Sequence, residues 1–313
     1  HTRSCYVTGV QRVLFRSHYT LKDPSKYGIQ DSPVTFGYFN TDKGTRKIST
    51  ENTQAALKRF SYRKLSRENR LTYDVLDYYL ELSKKESDYL LYEEPMGTVS
   101  GVQTQIPVLL SEYQFQSKED VDAYLELMKT TPDYFNSLIA FEQEKAQKGL
   151  FMASYTADTV IEQCQAFIDM GDSNYLISTF VDRIQKLTDL SESEKSDYIQ
   201  KNAYMLKTYV LPAYQQLIKT VVELKDSGKN EEGLCYLPNG KEYYELTVQA
   251  STGSARTVPQ LQKLTKNQMK DDLAAMKAVI GLTAEQAKET AVMESTDPKE
   301  ILNSLSLDIQ KTF

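Results

Sequence analysis

Histidine is the side chain that most often binds catalytic metals or moves protons near neutral pH, and it occurs only twice in these 313 residues, as His1 and His18. A catalytic zinc site needs three protein ligands, commonly histidine and glutamate at close helical spacing, so an HExxH motif is impossible here. A serine or cysteine nucleophile would depend on His18 alone as its base. Neither GxGxxG nor GxxxxGK[ST], the loops that bind phosphates, is present. The sequence therefore predicts no catalytic residue, no metal ligand and no cofactor site within this chain.

Adjacent carboxylates occur at Glu93/Glu94, Glu231/Glu232 and Asp271/Asp272, among other positions. Neighbouring residues on a helix point about 100° apart and do not face a common substrate. A cooperating general acid and base is therefore not expected at any of the pairs. We interpret them as parts of a solvated surface.

Cysteine is also scarce. Cys5 lies near the start of the chain, and Cys164 and Cys235 stand alone, without the spacing of a metal site. Isolated cysteines are more often small apolar core residues than members of a disulfide or redox pair. They do not indicate a cellular compartment.

The composition is that of an ordered globular protein, with 40% hydrophobic and 26% charged residues. A formal net charge of −6 repels phosphate backbones, which argues against a nucleic-acid partner. No apolar run approaches the ~18 residues of a transmembrane span. The chain contains 22 tyrosines and no tryptophan. Most of the tyrosines are expected to pack in the core, although tyrosine also suits helices that surround a solvated cleft.

Helix signals dominate the chain from Ser49 onward. Ser117 and Asp120 have the spacing of a capping box, as do Ser191 and Glu194. Pro132 suits the first turn of a helix capped by Thr131, and a DPKE sequence (297–300) predicts a further helix start. Between two apolar helical stripes, GDSN (171–174) predicts a turn. The fold class predicted is all-α, a multi-helix bundle of antiparallel helices.

The segment from Ser191 to Lys225 is predicted to be the long central helix. Its apolar pairs recur every four residues, from Met205/Leu206 to Val221/Val222, so the buried face winds around the helix by roughly 40° per step. Pro212 removes the hydrogen bond to the Thr208 carbonyl and is expected to kink the axis. The alternative is two helices that meet near Leu211.

Two segments read as ordered loops. Residues 92–115 contain two prolines and two glycines, and are expected to carry Ile106, Val108, Leu109 and Leu110 into the core. Residues 229–257 combine a turn-rich entry with a short helix that bears Tyr243 and Tyr244. Long loops with embedded apolar residues are often functional.

The start of the chain differs in composition from the rest. VTGVQRVLFRS (7–17) is too interrupted by polar residues for a secretory signal, and its alternation is poor for an edge strand. It resembles the translation of a common sequencing-library adapter. We therefore interpret residues 1–17 as an artefactual leader and residues 18–313 as the native part, which would leave any native signal or lipid anchor out of view.

Four stretches resemble the bacterial domain-of-unknown-function family number 885. They are HYTLKDPSKYGI (18–29), GVQTQIPVLLSEYQF (101–115), SKEDVDAYLELMKTTPDYFNSLI (117–139) and LPNGKEYYELTVQASTGSARTV (237–258). The last, with LPNGKEYY before a Thr/Gly-rich turn, is the most distinctive. The resemblance covers about 18–313.

The resemblance implies a largely helical, zincin-like metallopeptidase, often made as a lipoprotein of the cell envelope. The family's HExxH-type motif would follow the last residue here, so no zinc ligand or general base is assigned to this chain. We expect zinc in the full-length parent only, and a scaffold portion, residues 18–313, onto which the missing C-terminal half docks. Localisation in the cell envelope or outside the cell follows from analogy, with the cytoplasm as the alternative.

Two functional hypotheses follow. In the first, the chain is the non-catalytic wall of a peptide-binding groove in a zinc peptidase, and Tyr243, Tyr244, Thr252 and Arg256 contact the peptide. A guanidinium such as that of Arg256 can bind a carboxylate through two hydrogen bonds. In the second, the chain is a stand-alone helical binding module without hydrolytic activity. For each named residue, simple packing or solvent exposure is the competing interpretation.

Overall fold

The structure, a computed structural model, describes residues 34–290, and the side chains of residues 34–278. The predictions for residues 1–17, for His18 and for the DPKE helix start lie outside the described residues. The chain divides into two compact units between Ser251 and Thr252.

The regular secondary structure of residues 34–290 is helical, without a strand. The first unit contains α1 (Lys43–Leu57), α2 (Arg67–Glu86), α3 (Val102–Glu112), α4 (Lys118–Lys129), α5 (Thr131–Gln147), α6 (Ser154–Asp169), α7 (Tyr175–Ile184), α8 (Glu192–Met205), α9 (Leu211–Leu224) and α10 (Gly240–Thr252, whose last residue falls in the second unit). Short 3₁₀ segments cover Tyr62–Lys64, Ser87–Tyr92, Gly171–Ser173 and Leu234–Tyr236. The second unit contains α11 (Val258–Thr290). The predicted all-α class is confirmed.

Two helices begin at the capping boxes that the sequence predicts. At the start of α4 the Ser117 amide donates to Asp120 Oδ2 at 3.0 Å, and at the start of α8 the Glu194 amide donates to Ser191 Oγ at 3.3 Å. These bonds satisfy backbone donors that the first helical turn leaves unpaired. The break between α4 and α5 falls one residue earlier than predicted, because Thr130 is the cap and Thr131 is already helical.

The predicted central helix is continuous. A π-helical turn, Leu206–Val210, joins α8 to α9, and the backbone stays helical through Leu211 (φ −60°, ψ −43°). The wider turn relieves the clash between the Pro212 ring and the carbonyl four residues earlier. α9 packs against α5 and α6, and the π-helical turn contacts α4 and α5. The alternative of two separate helices is therefore wrong.

The predicted loop of residues 92–115 differs from the structure, because Val102–Glu112 is helical despite Pro107. Ile106 and Leu110 enter the core as expected, whereas Val108 is 41% exposed. The Tyr214 hydroxyl donates to the Gln103 carbonyl at 2.7 Å and so attaches α3 to α9. The helix forms because tertiary packing on α6 and α7 outweighs the local proline and glycine signals.

One hydrophobic core runs through the first unit and includes the predicted stripe of α6. Cys164 is buried in it, as expected, but Cys235 is exposed; both are free thiols. No helix among residues 34–290 combines the length and apolar composition that a membrane span requires.

Candidate functional site

A cleft of about 380 Å³ lies in the first unit, between the end of α2, the 3₁₀ segment Ser87–Tyr92 and α10. Its lining residues are Lys85, Asp88, Tyr89, Glu242, Glu245, Leu246 and Gln249. The four from α10 are spaced i, i+3, i+4, i+7, so they share one face of that helix. Three carboxylates against one ammonium make the cleft acidic, and it therefore favours a positively charged ligand group.

Three tyrosine rings join α10 to the 3₁₀ segment beside this cleft. The centroid of Tyr243 lies 5.0 Å from that of Tyr92 and 5.5 Å from that of Tyr89. Such tilted ring pairs add attraction beyond the area they bury. Burial, with a contribution from the nearby Glu93 carboxylate, raises the pKa of Tyr243 to about 12, so its hydroxyl is protonated at neutral pH.

The LPNG sequence explains how α10 is positioned. Leu237 is buried, and the Pro238 carbonyl accepts a hydrogen bond from the Tyr92 hydroxyl. Asn239 adopts a left-handed conformation (φ 52°), which asparagine tolerates better than most residues. At Gly240 an added Cβ would overlap the Leu234 carbonyl oxygen. The turn into α10 therefore requires Asn239 and Gly240, which explains physically why the sequence here is LPNG.

The Gly240→Ala variant is expected to lose about 1–3 kcal/mol of unfolding free energy, because the overlapping carbonyl belongs to the backbone and must be displaced. Urea unfolding measures the loss, and near-ultraviolet circular dichroism reports the displaced tyrosines. Gly97→Ala is the matched control, since a Cβ there meets no atom within 4 Å. Equal stability of the two variants would contradict this account of the motif.

A buried group of charges lies behind the same 3₁₀ segment. The Lys145 side chain of α5 is fully buried, and its Nζ donates to the Glu93 carbonyl at 2.7 Å and to Glu94 Oε2 at 2.9 Å. The Glu93 carboxylate pairs with Arg46 of α1 at 2.7 Å. Glu142, one turn before Lys145, is 1% exposed. These charges connect α1 and α5 to the residues that follow the cleft segment.

The prediction that Glu93/Glu94 is a solvated pair is wrong for Glu93, which is half-buried and ion-paired with Arg46. Burial raises the pKa of Glu93 against the opposing effect of Arg46. Glu94 is exposed as predicted, although it also pairs with Lys145. Sequence reasoning also missed Glu142 and Lys145. Both lie on the apolar stripe of α5 that begins at Phe135 and Leu138. A charged residue at a position of an apolar stripe is the sequence feature that could have indicated a buried charge.

The predicted substrate residues are divided between the two units. Tyr243 is half-buried in the tyrosine cluster, and Tyr244 is 48% exposed on the same helix. Thr252 and Arg256 belong to the second unit, where both are exposed. The Arg256 guanidinium contacts Ser254 Oγ at 3.4 Å. Substrate contact by these four residues stays a prediction.

In residues 34–278, no three His, Cys, Asp or Glu side chains lie close enough together to hold a metal ion. The zinc site that the family resemblance implies is expected in the full-length parent, and that expectation stays a prediction.

The model of a protein family described as "Bacterial protein of unknown function (DUF885)" matches residues 40–312. The chain belongs to this family. The family resemblance identified from the LPNGKEYY motif and from the stretches at 101–115 and 117–139 is thereby confirmed, whereas the stretch at 18–29 lies outside the matched residues. Comparison with curated proteins gives no match.

A solved structure shares the fold of this DUF885 chain. It is described as a "putative lipoprotein" from Colwellia psychrerythraea and superposes with a TM-score of 0.73 at 15% sequence identity. The match covers 96% of this chain and 55% of the lipoprotein chain. This chain therefore spans little more than half the length of that structure.

Proposed function

We propose that this chain is the helical, non-catalytic portion of a zinc-dependent peptidase and forms one wall of its peptide-binding groove. The observation that carries the proposal is the acidic cleft, whose α10 wall includes Glu242 of the LPNGKEYY segment. A peptide offers the cleft an α-ammonium group or a lysine or arginine side chain. Asp88, Glu242 and Glu245 would hold that charge, while the ring of Tyr89 adds a cation–π contact.

Binding of a fluorescein-labelled octapeptide with a free amino terminus and two lysines tests the cleft. The double variant Glu242→Gln/Glu245→Gln is expected to weaken binding at least tenfold, because about two charge-assisted hydrogen bonds are lost. The control, Asp271→Asn/Asp272→Asn, removes the same charge from exposed positions on α11 and should bind like the wild type. Equal affinities for the two double variants would contradict the proposal.

An exposed apolar stripe on α2 supports the proposal that another part of the parent packs against this helix. Leu71 and Val75 are 66% and 58% exposed, and the same helix face continues through Tyr78 to Leu82, which is buried. An apolar surface continuous with a core is typical of a face that another element covers. We propose that the remaining part of the parent, corresponding to lipoprotein residues that this chain does not match, docks there.

The peptidase assignment is tested with the longer parent. Coding sequence after Phe313 should contain HExxH, and the purified parent should hydrolyse peptides in a reaction that a chelator stops. Tyr244→Phe and Arg256→Ala in the parent should slow peptide turnover, and unchanged kinetics would remove these residues from the groove. An in-frame stop after Phe313, together with peptide binding by this chain, would instead favour a stand-alone binding module.

The family and the lipoprotein neighbour also support a place in the cell envelope or outside the cell. Fractionation of the native host, with immunodetection of the parent, tests this. Recovery in the cytoplasmic fraction would contradict it.

A further inference from the structure

Lys145 attaches the cleft segment to the core of the first unit. Both of its hydrogen-bond acceptors, the Glu93 carbonyl and Glu94 Oε2, directly follow the 3₁₀ segment Ser87–Tyr92. That segment supplies Asp88 and Tyr89 to the cleft. The position of one cleft wall therefore depends on where the Lys145 ammonium lies.

Glu142 is a second buried group within reach of the same ammonium. Its Oε2 lies 3.6 Å from Lys145 Nζ, which is an ion-pair distance but too long for a hydrogen bond. Neither carboxylate oxygen has a hydrogen-bond partner among the described residues. A buried carboxyl without hydrogen bonds favours its neutral form, and burial raises the pKa of Glu142 to about 7, against the opposing attraction of Lys145.

Ionisation of Glu142 creates a second carboxylate that can bind the Lys145 ammonium. A buried carboxylate needs a donor, and Lys145 Nζ, one turn along α5, is the donor within ion-pair reach. A charge-assisted hydrogen bond requires about 2.8 Å, so Nζ would have to move by almost 1 Å toward Glu142. That movement lengthens its bonds to Glu93 and Glu94.

We propose that Glu142 and Lys145 form a proton-controlled latch on the cleft wall. With Glu142 neutral, Lys145 holds the Glu93–Glu94 segment firmly; with Glu142 ionised, the two carboxylates compete for the ammonium and the wall loosens. The effect on peptide binding rests on the proposed function. The latch itself rests only on the buried charges.

Several other ionisable groups lie near the latch. Glu93 is paired with Arg46 and also acted on by Glu86, and Tyr243 faces Glu93 and Glu94 from α10. The ionisable groups on the other elements packed against α5 have partners outside the latch. Lys129 of α4 interacts with Glu126 and with Tyr209 of the π-helical turn. The Tyr214 hydroxyl of α9 donates to the Gln103 carbonyl. Glu93 is therefore the competing origin of a pH response.

Hydrogen exchange, read by mass spectrometry in peptides covering residues 87–101 and corrected for intrinsic exchange rates, tests the latch. From pH 6 to pH 8, protection of these amides in the wild type should fall about tenfold, since a charge-assisted bond is weakened. Glu142→Gln should keep at pH 8 the protection that the wild type has at pH 6. Glu93→Gln should leave the pH response in place.

Glu144→Gln is the matched control, because Glu144 lies on the same helix and pairs with the exposed Lys148 instead. It should respond to pH like the wild type. If the wild type shows no change, or if Glu142→Gln loses protection as the wild type does, the latch is wrong. If Glu142→Gln fails to fold, Glu142→Met must give the same constant protection. If the wild type fails to bind the labelled peptide at both pH values, the proposed function is contradicted, while the exchange result still tests the latch.

Discussion

Replacement of Lys145 by methionine is expected to lower the free energy of unfolding by about 3–5 kcal/mol at pH 8, because it leaves a buried carboxylate without its counter-charge. The Glu93 carbonyl and Glu94 would lose their donor at the same time. At pH 5 the loss should be smaller, since Glu142 can bind a proton when the ammonium is absent. Urea unfolding at the two pH values measures both effects.

Lys148→Met is the control for this prediction. Lys148 pairs with Glu144 on the same helix, but its side chain is 50% exposed. Exposed ion pairs contribute less than about 1 kcal/mol, so this variant should be almost as stable as the wild type. A similar loss in both lysine variants would show that the buried charges are not what makes Lys145 important.

Glu142→Gln is expected to become more stable than the wild type as the pH rises, by at most about 3 kcal/mol at pH 8. The pKa of Glu142 is raised from 4.5 to about 7 in the folded chain. Between these values the folded chain holds a proton that the unfolded chain has released, so wild-type stability falls as the pH rises through this window. Glutamine stays neutral and removes the penalty, while Lys145 keeps Glu94 as its partner.

The measurement is the difference between the two unfolding free energies from pH 5 to pH 8. Lys145 does not disturb it, because its pKa is raised from 10.5 and it stays charged throughout this range. The raised pKa of Glu93 affects wild type and variant alike and cancels in the difference. A constant difference would mean that Glu142 is ionised at pH 5 in the folded chain.

The cleft and the latch share one segment. Ser87–Tyr92 contributes cleft residues on one side, and the residues immediately after it, Glu93 and Glu94, bind the buried lysine. α10 meets this segment through Tyr243, and the LPNG turn fixes the start of α10. A substitution at Gly240 or Lys145 should therefore alter the same cleft from opposite sides.

The fold class and the starts of α4 and α8 followed from the sequence, because caps and apolar periodicity are local properties. Ser117, Ser191 and the four-residue spacing before Pro212 each depend on residues within a turn or two. The same applies to the short helix that carries Tyr243. The sequence also placed the chain in its family through the LPNGKEYY segment, where local backbone geometry demands particular residue types.

Only the tertiary structure decided which charges are buried and what they hold. Lys145 meets Glu93 from 52 positions away, and nothing near Glu93 or Glu94 in the sequence indicates that a lysine approaches. Val102–Glu112 became a helix for a similar reason, since its packing partners lie far along the chain. Burial and pairing depend on which distant elements meet, and periodicity within one element does not contain that information.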